Sequence, residues 1–405
     1  MTLVLRRCLK PSTWLVDERR MAIAKETIYL DNNSTTPCDP AVVDAMLPFF
    51  GSEFGNPSSQ HILGRRAADA VERAREQVAN LVGCTSSEII FTGGATESSN
   101  LVILGVFLGV GYDRRLLTST VEHMAILAPC EYVESRGNPV IKAPVNQAGV
   151  IDLEFLRHCI TPAVALVSVQ AANNEVGVVQ PVAEVSELAK KIGALFHCDA
   201  AQALGKIPFD VRRLGVDFAS FSAHKVYGPK GVGALYVRAD LRNELRPVLF
   251  GGGQEGGLRP GTLSVPSIVG FGAACEIAGR VLDEEAARLG FLRDSMERDL
   301  LGMIPTAFVN GTGVPRLPGT SSITIPNVPA DLMIANLPNV CVSNGSACTS
   351  GALSPSHVLL AMGLSRQEAE CTLRISLGRQ NDEKGVRQAV RLIVEAAARL
   401  RREIG

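Results

Sequence analysis

Several things are scarce in this sequence, and each scarcity excludes something. There is no surplus of charge: 40 Lys and Arg stand against 41 Asp and Glu in 405 residues. No long basic run occurs, so bulk charge does not point to nucleic acid. No apolar stretch, "LVILGVFLGVG" (101–111) included, reads as long enough to span a bilayer, so no membrane partner is expected. The ten cysteines form no CxxC pair and no zinc-type Cys/His spacing, which argues against a structural metal. Several sit in apolar runs, as Cys198 does in "ALFHCDAA". They read as free thiols of a reducing compartment, hence cytoplasmic, and mostly as small core residues. Internal repeats and low-complexity segments are missing too.

The single tryptophan, Trp14, lies in residues 1–26, a stretch with Arg6, Arg7 and Lys10 but no long apolar core. It does not read as a secretory signal, and Asp17 and Glu18 count against a mitochondrial presequence. Met21 makes an extension, from an upstream start or foreign to the native protein, the preferred reading, and the fold is expected to begin after it.

Short apolar runs alternate with longer amphipathic patterns. "EIIFT" (88–92), "RLLTST" (115–120), "AVALVSVQ" (163–170), "ALFHCDA" (194–200), "DFASFSA" (217–223) and "GVGALYVR" (231–238) predict strands. Residues 61–83 and 181–193 predict helices. Strands alternating with helices, and lacking polar alternation, imply a mostly parallel sheet covered on both faces. This α/β region spans 41–279. Helical patterns near 266–303 and 383–402, with strands "SSITIP" (321–326) and "LRISLG" (373–378), imply a smaller α+β domain built from 27–40 and 280–405. A ligand would lie at the strand C-terminal ends, facing the second domain.

Three strand ends carry chemistry. After "EIIFT", Gly93 and Gly94 allow a tight turn, and Ala95, Thr96 and Glu97 open a helix. Backbone N–H groups at such a start make a phosphate cradle; a glycine turn with a threonine cap would read the same. Asp199 ends an apolar strand and is followed by Gln202. A buried carboxylate needs a partner, either a backbone cap or a cationic ligand nitrogen. Ser222, His224 and Lys225 end another strand. A desolvated lysine has a lowered pKa and is a nucleophile toward aldehydes; the alternative is a lysine snorkelling from the strand end. Together, a phosphate cradle, an aspartate and a lysine are what pyridoxal phosphate requires.

The motifs "GGATES", "HCDAAQ", "SAHKVYGPKG", "GGGQEGGLRPGT" and "SNGSACTSG" resemble those of the cysteine desulfurases, which are class V aminotransferase-like enzymes of pyridoxal phosphate fold type I. The similarity runs in order from "IYLDNNSTTP" (28–37) to "LRISLGR" (373–379). The resemblance implies a seven-stranded large domain. It implies that Lys225 holds the cofactor and moves the substrate α-proton. Asp199 would pair with the ring nitrogen and Gln202 with the phenolic oxygen. His123 would stack on the ring and relay protons, and Asn174 would contact substrate or the cofactor's oxygen side. Ala95, Thr96, Ser222 and His224 would hold the phosphate, joined by Thr262 across a homodimer interface. Arg374 would grip the carboxylate of L-cysteine. Cys348, in a stretch of small residues, would be the nucleophile that takes the sulfur and passes it to an acceptor protein. Ser354-Pro355 is expected to start a helix after that stretch, Gly363 to stop it, and Ser365 with Glu368 to form a capping box. Cys341 is read as core.

Overall fold

A computed structural model describes residues 27–111, 113–345 and 355–404. Cys348 and Ser354 lie outside the described residues, as does the extension through residue 26.

The main sheet has seven strands in the order β2-β8-β7-β6-β5-β3-β4. They are β2 (Ile89–Thr92), β3 (Arg115–Ser119), β4 (Val140–Ala143), β5 (Val164–Gln170), β6 (Leu195–Asp199), β7 (Phe218–Ser222) and β8 (Gly233–Val237). The neighbours from β4 through β7 pair in parallel, and only β8 runs against the rest. Every residue of β5 is buried, as a central strand covered by helices on both faces requires. The predicted strands of this sheet each lose one to three residues at their ends. The edge strand β4 was not anticipated, because "VIKA" carries no buried run: only Ala143 is buried.

The helix Ile62–Val82 shows why the expected boundaries hold. Ala67, Val71, Ala74, Val78 and Val82 recur at helical spacing and are all buried. His61 caps the start, its Nδ1 accepting the Gly64 N–H at 3.2 Å. Gly83 ends it in the left-handed conformation at φ 75°, which glycine adopts without steric cost. It packs on the long helix Val265–Met303. A Cβ on Gly272 of that helix would lie 2.6 Å from Ala74 Cα, so glycine permits the close crossing.

By length and composition alone, Val265–Met303 could cross a membrane, contrary to the expectation that no such segment exists. Here it is a core helix. Residues such as Phe271, Ala274 and Ala278 join the core against the main sheet, whereas Leu289, Leu292, Met296 and Leu300 join a second core.

That second core lies under a three-stranded antiparallel sheet in which β10 (Thr320–Thr324) runs between β9 (Phe308–Val309) and β12 (Thr372–Ser376). The helix Glu383–Ile404 covers it with Val386, Val390, Ile393 and Leu400. The start of the described chain joins this region: β1 (Ile28–Tyr29) pairs in parallel with β11 (Val340–Cys341). Cys341 is only half-buried there, not core. The next helix, His357–Ala361, is capped by Ser356, two residues beyond the expected Ser354. Gly363 follows at φ 92°. Ser365 and Glu368 form the expected capping box.

Candidate active site

Parallel strands place their C-terminal ends along one edge, and the site lies there. Register sets Gln170 beside Asp199 across β5 and β6, and Ser222 ends β7 one strand further on. A cavity of about 800 Å³ opens over these ends. Among the residues that line it are Ala95, Thr96, His123, Asn174, Asp199, Gln202, Ser222, His224, Lys225 and Arg374. Every expected site residue within the described chain is thus brought together, except Thr262. That residue is exposed and does not line the cavity.

The helix Ala95–Phe107 begins at the cavity. Its cap is Gly94 at φ 152°, and no side chain caps the first turn. A carbonyl partner is impossible for those leading N–H groups inside the helix, so they stand ready for an anion, with Ser222 Oγ nearby: a Cβ on Gly94 would lie 3.7 Å from it.

Asp199 is buried and caps its own turn, Oδ1 accepting the Ala201 N–H at 3.0 Å. Burial pushes its pKa up; that N–H, His123 and Lys225 pull it back. Both meanings of Asp199 weighed from sequence, cap and ligand carboxylate, are therefore compatible. His123 caps the helix Met124–Ser135 through Nδ1, which accepts the Ala125 N–H at 3.0 Å. In the neutral ring the proton then sits on Nε2. Burial, with Lys225, Lys230 and Lys206 nearby, pushes His224 down to about 4, so near neutral pH it is an uncharged ring whose Nδ1 lies 3.2 Å from Thr35 Oγ1.

The Lys225 amine donates to the carbonyl oxygens of Asn33 and Ser34. Arg374, on β12, is only 3% exposed. Its Nη2 donates to Asp31 Oδ1 at 2.8 Å and Ser34 Oγ at 2.5 Å, and its Nη1 to the Asn174 carbonyl at 3.2 Å. Arg374 Nε is buried with no partner among the described residues. A buried guanidinium N–H left over at a cavity wall suits an incoming carboxylate.

Sequence reasoning missed the groups that brace these side chains. Asn33 and Ser34 supply the carbonyls for Lys225, although "IYLDNNSTTP" marks only where the family likeness begins. Glu122, beside His123, is buried; its Oε1 accepts the Ser119 hydroxyl at 2.5 Å and the Gln170 N–H at 3.1 Å. Burial pushes its pKa up to about 8, so it is a carboxylic acid near neutral pH. Glu175 is buried as well and accepts the Ser356 hydroxyl at 2.5 Å.

An uncapped helix start, a carboxylate, a lysine and an arginine around one cavity define a pyridoxal phosphate enzyme of the aminotransferase type. The chain belongs to the aminotransferase class-V family, whose model matches residues 28–389, and it is dependent on pyridoxal phosphate as that family is. Within the family it is similar to the IscS and NifS-like proteins. It is 43% identical to "Cysteine desulfurase IscS" of Rickettsia typhi over 377 residues, 93% of this chain and 92% of that one. Among solved structures, a NifS-like protein superposes with a TM-score of 0.86 at 40% identity, covering 92% of this chain and 99% of that one. SspA in complex with cysteine superposes with a TM-score of 0.78 at 37% identity, covering 87% and 99%.

Proposed function

We propose that this chain is a cysteine desulfurase: it takes the sulfur from L-cysteine, leaves L-alanine, and carries the sulfur as a persulfide on Cys348. The observation that carries the reading is the meeting of Asp199, Lys225, His123 and Arg374 at one cavity beside an uncapped helix start. Those groups fit pyridoxal phosphate and an amino-acid carboxylate at the same time.

When bound, pyridoxal phosphate supplies an electron sink that weakens the bond between the substrate α-carbon and its hydrogen. The N–H groups of Ala95 and Thr96, with Ser222 and His224, would hold the phosphate. In a homodimer, a second copy's Thr262 would complete that cradle. Asp199 would meet the ring nitrogen, Gln202 the phenolic oxygen, and His123 the ring face. Arg374 and Asn174 fix the substrate carboxylate and its surroundings. Lys225 would hold the cofactor by its amine, and the same amine would take the substrate α-proton. The Cys348 thiolate attacks the substrate sulfur: an S–S bond forms, the C–S bond breaks, and its electron pair stays with the carbon skeleton that becomes alanine. The sulfur then passes to an acceptor protein of a kind that builds iron–sulfur clusters, thiolates tRNA or makes DNA phosphorothioate. We place the enzyme in the cytoplasm, and we divide it into the domains 41–279 and 27–40 with 280–405.

The test is incubation with L-cysteine, with alanine and sulfide assayed and the persulfide mapped by mass spectrometry. The expected result is a persulfide on Cys348 and loss of alanine formation in Cys348→Ala. Alanine production that persists in that variant, or a persulfide confined to another cysteine, overturns the assignment. An aminotransferase, which needs no thiol nucleophile, would keep its turnover in Cys348→Ala.

A further inference from the structure

Behind the cavity sits a lysine that no role so far uses. Lys206 follows Gln202 by four residues, and its amine donates to Gln202 Oε1 at 2.7 Å and to Asn33 Oδ1 at 3.2 Å. A side-chain amide has two nearly isosteric orientations, and only its hydrogen-bond partners choose between them. Lys206 chooses for both amides at once. Facing a donor, each presents its oxygen, and each NH₂ group is turned the other way. Gln202 Nε2 then meets the Asn33 carbonyl at 2.9 Å. That same carbonyl receives the Lys225 amine. Asn33 Nδ2 reaches the Asn174 carbonyl at 3.2 Å and Thr320 Oγ1 at 2.9 Å, tying the segment to both sides of the site.

The placement is asymmetric. Gln202, Asn33 and Lys225 all line the large cavity, but Lys206 does not. It lines a small cavity of about 30 Å³ on the far side, where Asn33 and Lys225 are again its neighbours. Lys206 therefore cannot be read as a ligand group; it stands one layer behind those that are. Burial, then the charges of Lys225 and Arg374, push its amine well below the lysine range. Protonated or not, it has N–H bonds for both oxygens. A lysine used merely for solubility would not be folded into a site among like charges, with amide oxygens as its partners.

We propose that Lys206 is a positioning residue: by holding the oxygens of Gln202 and Asn33 it aims the Gln202 N–H groups into the site and fixes the carbonyl on which the Lys225 amine rests. The first half rests on the reading of Gln202 and Lys225 as cofactor-binding groups. The second half concerns Lys225 in the chain without cofactor.

A double-mutant cycle tests it, using wild type, Lys206→Met, Gln202→Leu and the double variant. Pyridoxal phosphate affinity is measured by titrating apoprotein and following absorbance. Lys206→Met should weaken binding about tenfold, the size of one lost buried hydrogen bond. In the Gln202→Leu background the same change should cost less than about twofold, because residues acting as a unit are not additive. Lys206→Arg, which still donates, should stay within about threefold of wild type. In a second arm without cofactor, acetylation of the apoprotein is followed across pH and read at Lys225 by mass spectrometry. Its pH profile should move in Lys206→Met and not in Lys206→Arg. Should Lys206→Met fail to fold, Lys206→Gln is judged by the same criteria. Equal losses with and without Gln202, or a Lys206→Met protein that binds and labels as wild type does, overturn the proposal. A wild-type protein that binds no pyridoxal phosphate refutes the cofactor reading instead, and the acetylation arm then still decides whether Lys206 sets the Lys225 amine.

Discussion

The glycine-rich loop that leads to Thr262 hangs on one buried ion pair, and cutting that pair should be costly. Glu255 sits in the loop at φ 50°. Its carboxylate meets Arg75 in a fork, at 2.7 Å and 2.8 Å, with the two side chains only 2% and 10% exposed. Glu255 Oε2 also accepts the Phe91 N–H of β2 at 2.8 Å, and the guanidinium lies 4.7 Å over the Phe91 ring. Glu255→Ala strands a buried guanidinium and a buried N–H together. Removing one partner of such a pair costs about 3–5 kcal/mol. Arg75 keeps Glu72 at 3.1 Å and the Ile89 carbonyl at 2.9 Å, so the lower end, about 3 kcal/mol, is expected. Replacing both partners by apolar residues, Arg75→Met with Glu255→Leu, should recover most of the loss, because no charge is then left unpaired. Urea unfolding followed by circular dichroism measures both. A single variant costing less than about 1 kcal/mol, or a double variant as unstable as the single, would refute the reasoning.

The other expectations are smaller in scope. Arg374→Lys loses the planar fork and should raise KM for L-cysteine by about tenfold or more, with kcat changed less; steady-state kinetics decide, and an unchanged KM counts against a carboxylate role. A Cβ on Gly233 would lie 2.6 Å from Gly94 Cα and collide with the Phe221 carbonyl; Gly233→Ala should cost about 1–3 kcal/mol and weaken pyridoxal phosphate binding by shifting the turn before the helix. Glu122 keeps its proton in the folded chain up to about pH 8, while the unfolded carboxyl loses it near 4.5. The folded state therefore holds the extra proton, and stability falls as pH rises through that window and levels above it. Glu122→Gln should flatten that slope in unfolding measured from about pH 5 to about pH 9. His197 shows the opposite sign: fully buried between Ser168 and Ser220 and pushed down to about 3 by burial, it destabilises the fold as pH drops from 6.5 towards that value, and His197→Gln should lessen the acid loss.

The legible parts of this protein were those with local causes. Strand ends such as Asp199 and Ser222 follow from apolar runs that stop at a polar residue, and Gly83 and Gly363 stop helices for a backbone reason carried by the residue itself. The lysine, the aspartate and the helix start could be named because each breaks a local pattern. Asn33, Glu122, Glu175 and Lys206 break none. Their roles come from contacts across the fold, such as the Asn33 carbonyl reaching Lys225 192 positions away, and no spacing in the sequence announces them. Lys206 had one hint, its four-residue distance from Gln202 in "AAQALGK", but on a helix-like turn that spacing is as common on a solvated face. The edge strand β4 was missed because half-exposed edges lack the apolar run on which strand reading depends.

The start of the described chain has a consequence for synthesis. β1 needs β11, Asn32 donates its N–H to the Ser376 carbonyl at 3.1 Å, and the Asn33 N–H finds Ser376 Oγ at 2.9 Å across 343 positions. At about 5–20 residues per second the ribosome needs roughly 20–70 s to make that interval. For that time the segment whose carbonyls receive the Lys225 amine lacks its Ser376 anchor, while the main sheet, complete by Val237, can already form and offer it Gln202 and the His224 carbonyl. The seat of the Lys225 amine is therefore tied to β12 only when translation is nearly over. A product truncated before Ser376 would keep Asn33 and Ser34 but lose the strand that anchors them, leaving a folded sheet with an unfinished cavity wall.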